Sequence, residues 1–204
     1  MFSARRAEAS QAARGKDAAS GWPWRRLCSG SDGPSGAFTG TRTGSASGNA
    51  GRPDNASRVN FAKAAPKVFK ALIGFDAAAR EGLDPALVEL VQIRSSQLNK
   101  CAYCLHMHTT DARKAGESEE RLHMVAVWRD ASRFFTDKEQ AALALTEAVT
   151  LISRDGVPDE VYRRAARHFD EQELARLLAL IFTINTWNRI AISTAKVPGT
   201  DERA

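Results

Sequence analysis

No stretch of this sequence approaches the ~18 consecutive apolar residues that a bilayer-spanning helix needs, so no membrane segment is expected. Cysteine is scarce, with three unevenly spaced residues in 204. That excludes a secreted disulfide scaffold and points to a reducing, cytoplasmic setting. Alternating apolar and polar runs are also missing, which removes a β-sheet from the expected fold. Leu, Ile and Val are nearly absent from residues 1–57, which instead hold nine of the 14 glycines. Such a segment buries too little apolar surface to offset its ordering entropy. It is expected to be a disordered, low-complexity extension, leaving one domain at 58–204.

The positive charge follows the same division. Residues 1–57 carry +4 of the net +5, so the folded part is close to neutral and offers no groove for nucleic acid. The Arg-, Ala- and Ser-rich start has a slight likeness to a transit peptide. It lacks the apolar run of a secretory signal, and Arg25-Arg26 has no apolar stretch behind it. Cys28 and the Trp22-Pro-Trp24 pair are incidental on this reading.

From residue 59 onward the pattern is helical. A first helix is expected over 66–81, with Val68, Phe69, Leu72 and Ile73 spaced for one buried face. Asp84-Pro85 supplies an N-cap and an N1 proline for a helix to about residue 98. Asn99-Lys100 interrupts it, and a new helix follows to about 115, stopped by Gly116. Ser118 caps a helix reaching Trp128, Pro158 fits a helix start, and Thr136…Glu139 and Asp170…Glu173 are capping-box patterns. The last helix, about 171–194, is apolar over much more than a stripe: Leu174, Leu177, Leu178, Leu180, Ile181, Phe182, Ile184 and Trp187. Such a helix belongs in a core or at a subunit interface, so an oligomeric all-α protein is expected.

Cys101-Ala-Tyr-Cys104-Leu-His-Met-His108 carries the chemistry. On a helix, offsets of 0, 3 and 7 fall within roughly 60° of arc, so Cys101, Cys104 and His108 would share a face, while His106 turns about 140° away into solvent. A helix N-terminus favours thiolate, and adjacent Lys100 acts in the same direction. His108, one turn beyond Cys104, can take its proton. A second thiol one turn away can condense with a sulfenic acid and prevent overoxidation. Glu89, 12 residues before Cys101 on the preceding helix, would be folded back near the cluster by a short connection.

Glu89 and Cys101-x-x-Cys104-x-x-x-His108, set within Arg94-Ser-Ser-Gln-Leu-Asn-Lys-Cys-Ala-Tyr-Cys, resemble the alkylhydroperoxidase D-like branch of the carboxymuconolactone decarboxylase superfamily. The likeness runs from about residue 59 to 199 and takes in Asp111-Ala-Arg-Lys-Ala-Gly116 and Asn185-Thr-Trp-Asn-Arg189. It implies an alkylhydroperoxidase D-like helical fold, assembled into trimers or hexamers, and a cofactor-free thiol peroxidase activity. By the same resemblance Cys104 is the peroxidatic thiol and Cys101 the resolving thiol, with His108 and Glu89 as the proton relay. The substrate would be a small hydroperoxide. An external dithiol, on a lipoylated or thioredoxin-like protein, would reduce the pair. Tyr103 stands where the family's peroxidase has a histidine between its cysteines, and Lys100 replaces a glycine often found before the first cysteine.

Three other readings compete. Two thiolates and an imidazole suit zinc, with Glu89 or water as fourth ligand, although one helical face seldom supplies three tetrahedral donors. A decarboxylase would leave the thiols without a role. A helical oligomer with a redox-sensitive disulfide could act as a non-catalytic sensor. His123 and His168 each stand alone, and Trp187, Asn188 and Arg189 read as packing and polar contacts at the buried end of the last helix, with lining of the thiol pocket as the alternative.

Overall fold

The structure, a computed structural model, describes residues 58–200. The expectations for residues 1–57, the extension with Trp22, Trp24 and Cys28 included, lie outside the described residues, as do residues 201–204. Among the described residues there are helices and no strand, in the order α1 (Phe61–Ala64), α2 (Pro66–Arg80), α3 (Pro85–Leu98), α4 (Ala102–Lys114), α5 (Glu119–Met124), α6 (Asp137–Thr150), α7 (Ile152–Asp155), α8 (Asp159–Ala166) and α9 (Glu171–Ser193). Two 3-10 turns, Val125–Val127 and Ser132–Phe134, link α5 to α6.

Local chemistry explains the helix starts. The Asp84 carboxylate accepts from Ala86 N–H at 2.8 Å, with Pro85 behind it at N1. Thr136 and Glu139 close a reciprocal capping box on α6, and Asp170 and Glu173 close another on α9. Ser118 caps α5, which tightens into 3-10 geometry at Val125 before reaching the buried Trp128.

Helix α3 is the axis of the fold, and its apolar residues serve two cores. Leu87, Val88 and Val91 pack with Ala142 and Leu145 of α6 and Leu177, Leu180 and Ile181 of α9. Leu90 and Ile93 pack with Ala112, Leu122, Trp128, Phe135 and Leu143. Each fully buried Leu or Ile among them stabilises the fold by about 1.5–3 kcal/mol relative to exposure. A helix packed on all sides has no face for solvated polar residues, so Gln92, Ser95 and Ser96 are buried too.

A carboxylate hub fixes α3 and α6 to the turn after α5. Glu147 of α6 accepts from Arg94 Nε and Trp128 Nε1, both at 2.8 Å, and from Arg129 Nη2 at 2.6 Å. Burial alone would raise its pKa. The hydrogen bonds from Trp128, Arg129 and Arg94, with the Arg94 charge, outweigh that effect and hold it below the ordinary 4.5.

Helix α2 corrects one expectation. Of its four spaced apolar residues, Phe69 and Leu72 are half-buried, whereas Val68 and Ile73 are 58% and 50% exposed. The reason is geometric: α2 rests on α9 through the Phe69 ring, edge-on to Trp187 at 5.4 Å, and buries Ala79 near its end, while Val68 and Ile73 lie on the side that points away from the core of the described residues. Phe182, on the outer side of α9, is likewise exposed. No helix among the described residues is long and apolar enough to cross a membrane.

Candidate functional site at the α3–α4 turn

The site is built on a turn of three residues, Asn99, Lys100 and Cys101, that ends one helix and starts the next. Asn99 caps α3 in the right-handed region and Lys100 follows at φ +57°. Lys100 N–H donates to Gln97 C=O at 3.1 Å and Cys101 N–H to Ser96 C=O at 3.0 Å, the paired bonds of a Schellman motif. Glycine usually occupies the left-handed position. Here a lysine does, at a conformational cost of about 1–2 kcal/mol.

Cys101 then serves as the N-cap of α4. Its Sγ accepts from Cys104 N–H at 3.3 Å, and the two sulfurs are joined in a disulfide with Cα atoms 5.4 Å apart. This modifies the helical-face expectation: Cys101 is extended, at φ −86° and ψ 92°, and only Cys104 and His108 share a face of α4. Both cysteines are buried, packed against Ala191 of α9 and flanked by Tyr103, whose ring lies under Lys196 Nζ at 5.0 Å.

His108 is 2% exposed, and its Nδ1 lies 3.0 Å from Glu89 Oε2 on α3. An ionised carboxylate only accepts, so Nδ1 carries the proton and Nε2 is left as the imidazole's acceptor. Glu89 is held from the other side: its Oε1 faces Arg80 Nη1 at 3.6 Å, and Arg80 Nε donates to Asp76 at 2.8 Å. Four residues on three helices thus form a line of alternating charge ending at the imidazole. Glu89 and His108 were expected together and are. Arg80 and Asp76 were not, because nothing in the α2 pattern separates a bridging arginine from a solvated one.

Asparagines lock the turn onto α9. Asn99 Nδ2 donates to Asn185 Oδ1 and Asn188 Oδ1, each at 2.9 Å, and Asn188 Nδ2 donates to Ser96 Oγ at 3.1 Å. Asn188 is fully buried, and Arg189 Nη1 donates to Asn185 C=O at 2.8 Å. Trp187, Asn188 and Arg189 therefore make packing and polar contacts, as the packing reading expects. The signal for the asparagine lock was two amides three residues apart inside an otherwise apolar helix.

The other histidines stand apart. His106 and His123 are exposed, and His168 is half-buried near the end of α8. Among the described residues no group of three or more His, Cys, Asp or Glu side chains is arranged to hold a metal ion. A cleft of about 290 Å³ lies between residues 58–62 and the end of α9, lined by Arg58, Phe61, Phe69, Ile190 and Lys196 among others; neither cysteine lines it.

Residues 66–148, which span Glu89, both cysteines and His108, match the carboxymuconolactone decarboxylase family. The uncharacterized protein YdfG of Bacillus subtilis (strain 168) is 40% identical over 137 residues, covering 67% of this chain and 92% of that protein. A protein of unknown function from Agrobacterium tumefaciens, described as a candidate antioxidant defence protein AhpD, superposes with a TM-score of 0.67 at 35% identity, covering 71% of this chain and 99% of that one. The debrominase Bmp8, solved with 2,3,4-tribromopyrrole, shares the fold at a TM-score of 0.61 and 18% identity, over 68% of this chain and 74% of its own. With so extensive a match to YdfG, and the family region enclosing the whole cysteine, histidine and glutamate set, the chain belongs to the carboxymuconolactone decarboxylase family, in its alkylhydroperoxidase D-like branch.

Proposed function

We propose that the protein is a thiol-dependent hydroperoxide reductase. One observation carries this reading: Cys101 and Cys104 form a disulfide at the start of the helix whose buried His108 is hydrogen-bonded to Glu89. In the reduced protein His108 takes the Cys104 proton. The thiolate attacks the terminal oxygen of a hydroperoxide, the O–O bond breaks, and the leaving alkoxide collects the proton as an alcohol. The Cys101 thiol then displaces hydroxide from the Cys104 sulfenic acid, releasing water and closing the disulfide. An external dithiol, on a lipoylated or thioredoxin-like protein, reopens it by thiol–disulfide exchange and is itself oxidised.

With Tyr103 between the cysteines, the relay on this reading runs through His108 and Glu89 alone. A homo-oligomer, trimer or hexamer, is part of the proposal; it would cover the exposed Val68, Ile73, Phe75 and Phe182. So is a cytoplasmic setting, where thiol donors keep the pair reduced. The description of the Agrobacterium relative as an antioxidant defence protein accords with the same chemistry.

The test is free-thiol titration of the reduced full-length protein before and after one equivalent of cumene hydroperoxide, with intact mass and a zinc assay on the same sample. Loss of two thiols and of about two hydrogens in mass is the expected result. Unreactive thiols with stoichiometric zinc would favour the metal site instead. Unreactive thiols without zinc would rule out the peroxidase.

A further inference from the structure

The cleft of about 290 Å³ at the end of α9 combines apolar walls with charge of one sign. Phe61 of α1, Phe69 of α2 and Ile190 of α9 supply the apolar lining, together with the exposed Val59 and Val197. Arg58 and Lys196 supply the charge, and no aspartate or glutamate among the described residues lines the cleft. Its volume lies at the small end of ligand sites, which run from about 300 Å³ upward.

A helix C-terminus ordinarily repels an anion, because its last four carbonyls lack partners and carry about half a negative charge. At the end of α9 all four are covered. Ile190 C=O accepts from Thr194 N–H at 2.9 Å and from the Thr194 hydroxyl at 2.8 Å. Ala191 C=O accepts from Lys196 N–H at 2.9 Å and Ile192 C=O from Ala195 N–H at 3.1 Å, a Schellman pair with Ala195 at φ +52°. Arg58 Nη1 donates to Ser193 C=O at 3.0 Å and to Ile192 C=O at 3.3 Å. One guanidinium outweighs the half charge of the helix end, and Lys196 adds a second cation, so the cleft is electropositive. The same left-handed turn at Ala195 precedes Lys196, whose Nζ lies 5.0 Å from the centre of the Tyr103 ring.

We propose that this cleft is a binding site for a small apolar carboxylate. The chain or ring of the ligand lies against Phe61, Phe69 and Ile190, and its head faces Lys196 and Arg58. Arg58 already spends Nη1 on two carbonyls and Lys196 is a single point charge. That set suits a carboxylate, with one negative charge, better than a phosphate, which brings close to two. The site is separate from the cysteine pair but adjoins it through two residues. Ile190 lines the cleft while its neighbour Ala191 packs on Cys101 and Cys104, and Lys196 spans from the cleft to Tyr103, which flanks the same pair. A bound carboxylate competes with the Tyr103 ring for the Lys196 ammonium. The assignment concerns binding alone and stands whether or not the pair reduces peroxides.

Isothermal titration calorimetry of the full-length protein with octanoate tests this, with 1-octanol as the probe that keeps the chain and lacks the charge. The expected result is saturable binding of octanoate at one site, at least about fivefold tighter than octanol and weakened by added salt. Lys196→Met, which keeps the apolar stem, should weaken octanoate by about threefold or more and leave octanol unchanged. Ala62→Phe, which puts a ring into the cleft, should weaken both probes, with circular dichroism confirming that each variant is folded. Equal affinity for octanoate and octanol would overturn the assignment, since the cations would then select nothing. Octanoate binding unchanged in either variant would overturn it too, by placing the ligand elsewhere. So would the absence of saturable binding by the full chain, which would make the cleft a surface covered by protein.

Discussion

Replacing Glu89 by glutamine removes one charge and little volume from the line that ends at His108. In the native chain the carboxylate accepts from His108 Nδ1 at 3.0 Å and faces Arg80 at 3.6 Å, with both Glu89 and His108 largely withdrawn from solvent. A hydrogen bond to a charged acceptor contributes about 1.5–3 kcal/mol. In the resting protein glutamine recovers part of this through its own carbonyl, so folding should change little. The full difference appears when His108 carries the thiol proton, because only a carboxylate stabilises the imidazolium by charge. At about 1.4 kcal/mol per tenfold, Glu89→Gln should slow oxidation of the reduced pair by about 10- to 100-fold. The assay is rapid mixing of reduced protein with cumene hydroperoxide, acid quenching, and intact mass at each time, with circular dichroism to confirm an unchanged fold. A rate within twofold of the wild type would refute the reasoning, since it would show that the imidazole does its work without its buried partner.

Cys104→Ser should abolish peroxide consumption, whereas Cys101→Ser should permit one turnover and leave Cys104 to accumulate further oxygens, both read by mass spectrometry. Lys100→Gly should raise stability by about 0.5–1 kcal/mol in denaturant titration, because the left-handed conformation at φ +57° strains a lysine more than it does glycine. Glu147 governs an acid transition. Its folded-state pKa lies below its unfolded one, so its contribution is complete above about pH 4.5 and is lost as pH falls through the folded value. Glu147→Gln should therefore lower stability at neutral pH and flatten the decline in stability on acidification, as followed by thermal melts from pH 7 downward.

Helix ends were legible because their causes are local. Asp84-Pro85, Thr136…Glu139 and Asp170…Glu173 each act within one turn, and each caps the helix expected of it. The pairing of Glu89 with His108 was legible for a related reason: a three-residue connection leaves α3 and α4 few ways to avoid each other. Burial on α2 was not. The spacing of Val68 and Ile73 records an apolar face, but spacing says nothing about whether the covering surface belongs to the same chain. Arg80 and Gln92 were missed for opposite reasons. An arginine at a helix end is ordinary until a carboxylate from another helix meets it. A glutamine between Val91 and Ile93 reads as the polar side of an amphipathic helix until that helix proves to be enclosed on every side.

The disulfide closes a ring between residues only three apart. Cross-links stabilise chiefly by restricting the unfolded chain, and a ring this short restricts it by on the order of 2 kcal/mol, against about 4.7 for a loop of 100 residues. The core that packs α3, α6 and α9 contains neither cysteine, and Cys101 is tied to Ser96 through its backbone N–H rather than its sulfur. Making and breaking the bond is therefore a change of two sulfur positions within a standing scaffold. If the pair cycles as proposed, the fold around it has no need to open along α3, α6 or α9 for the bond to be made or broken.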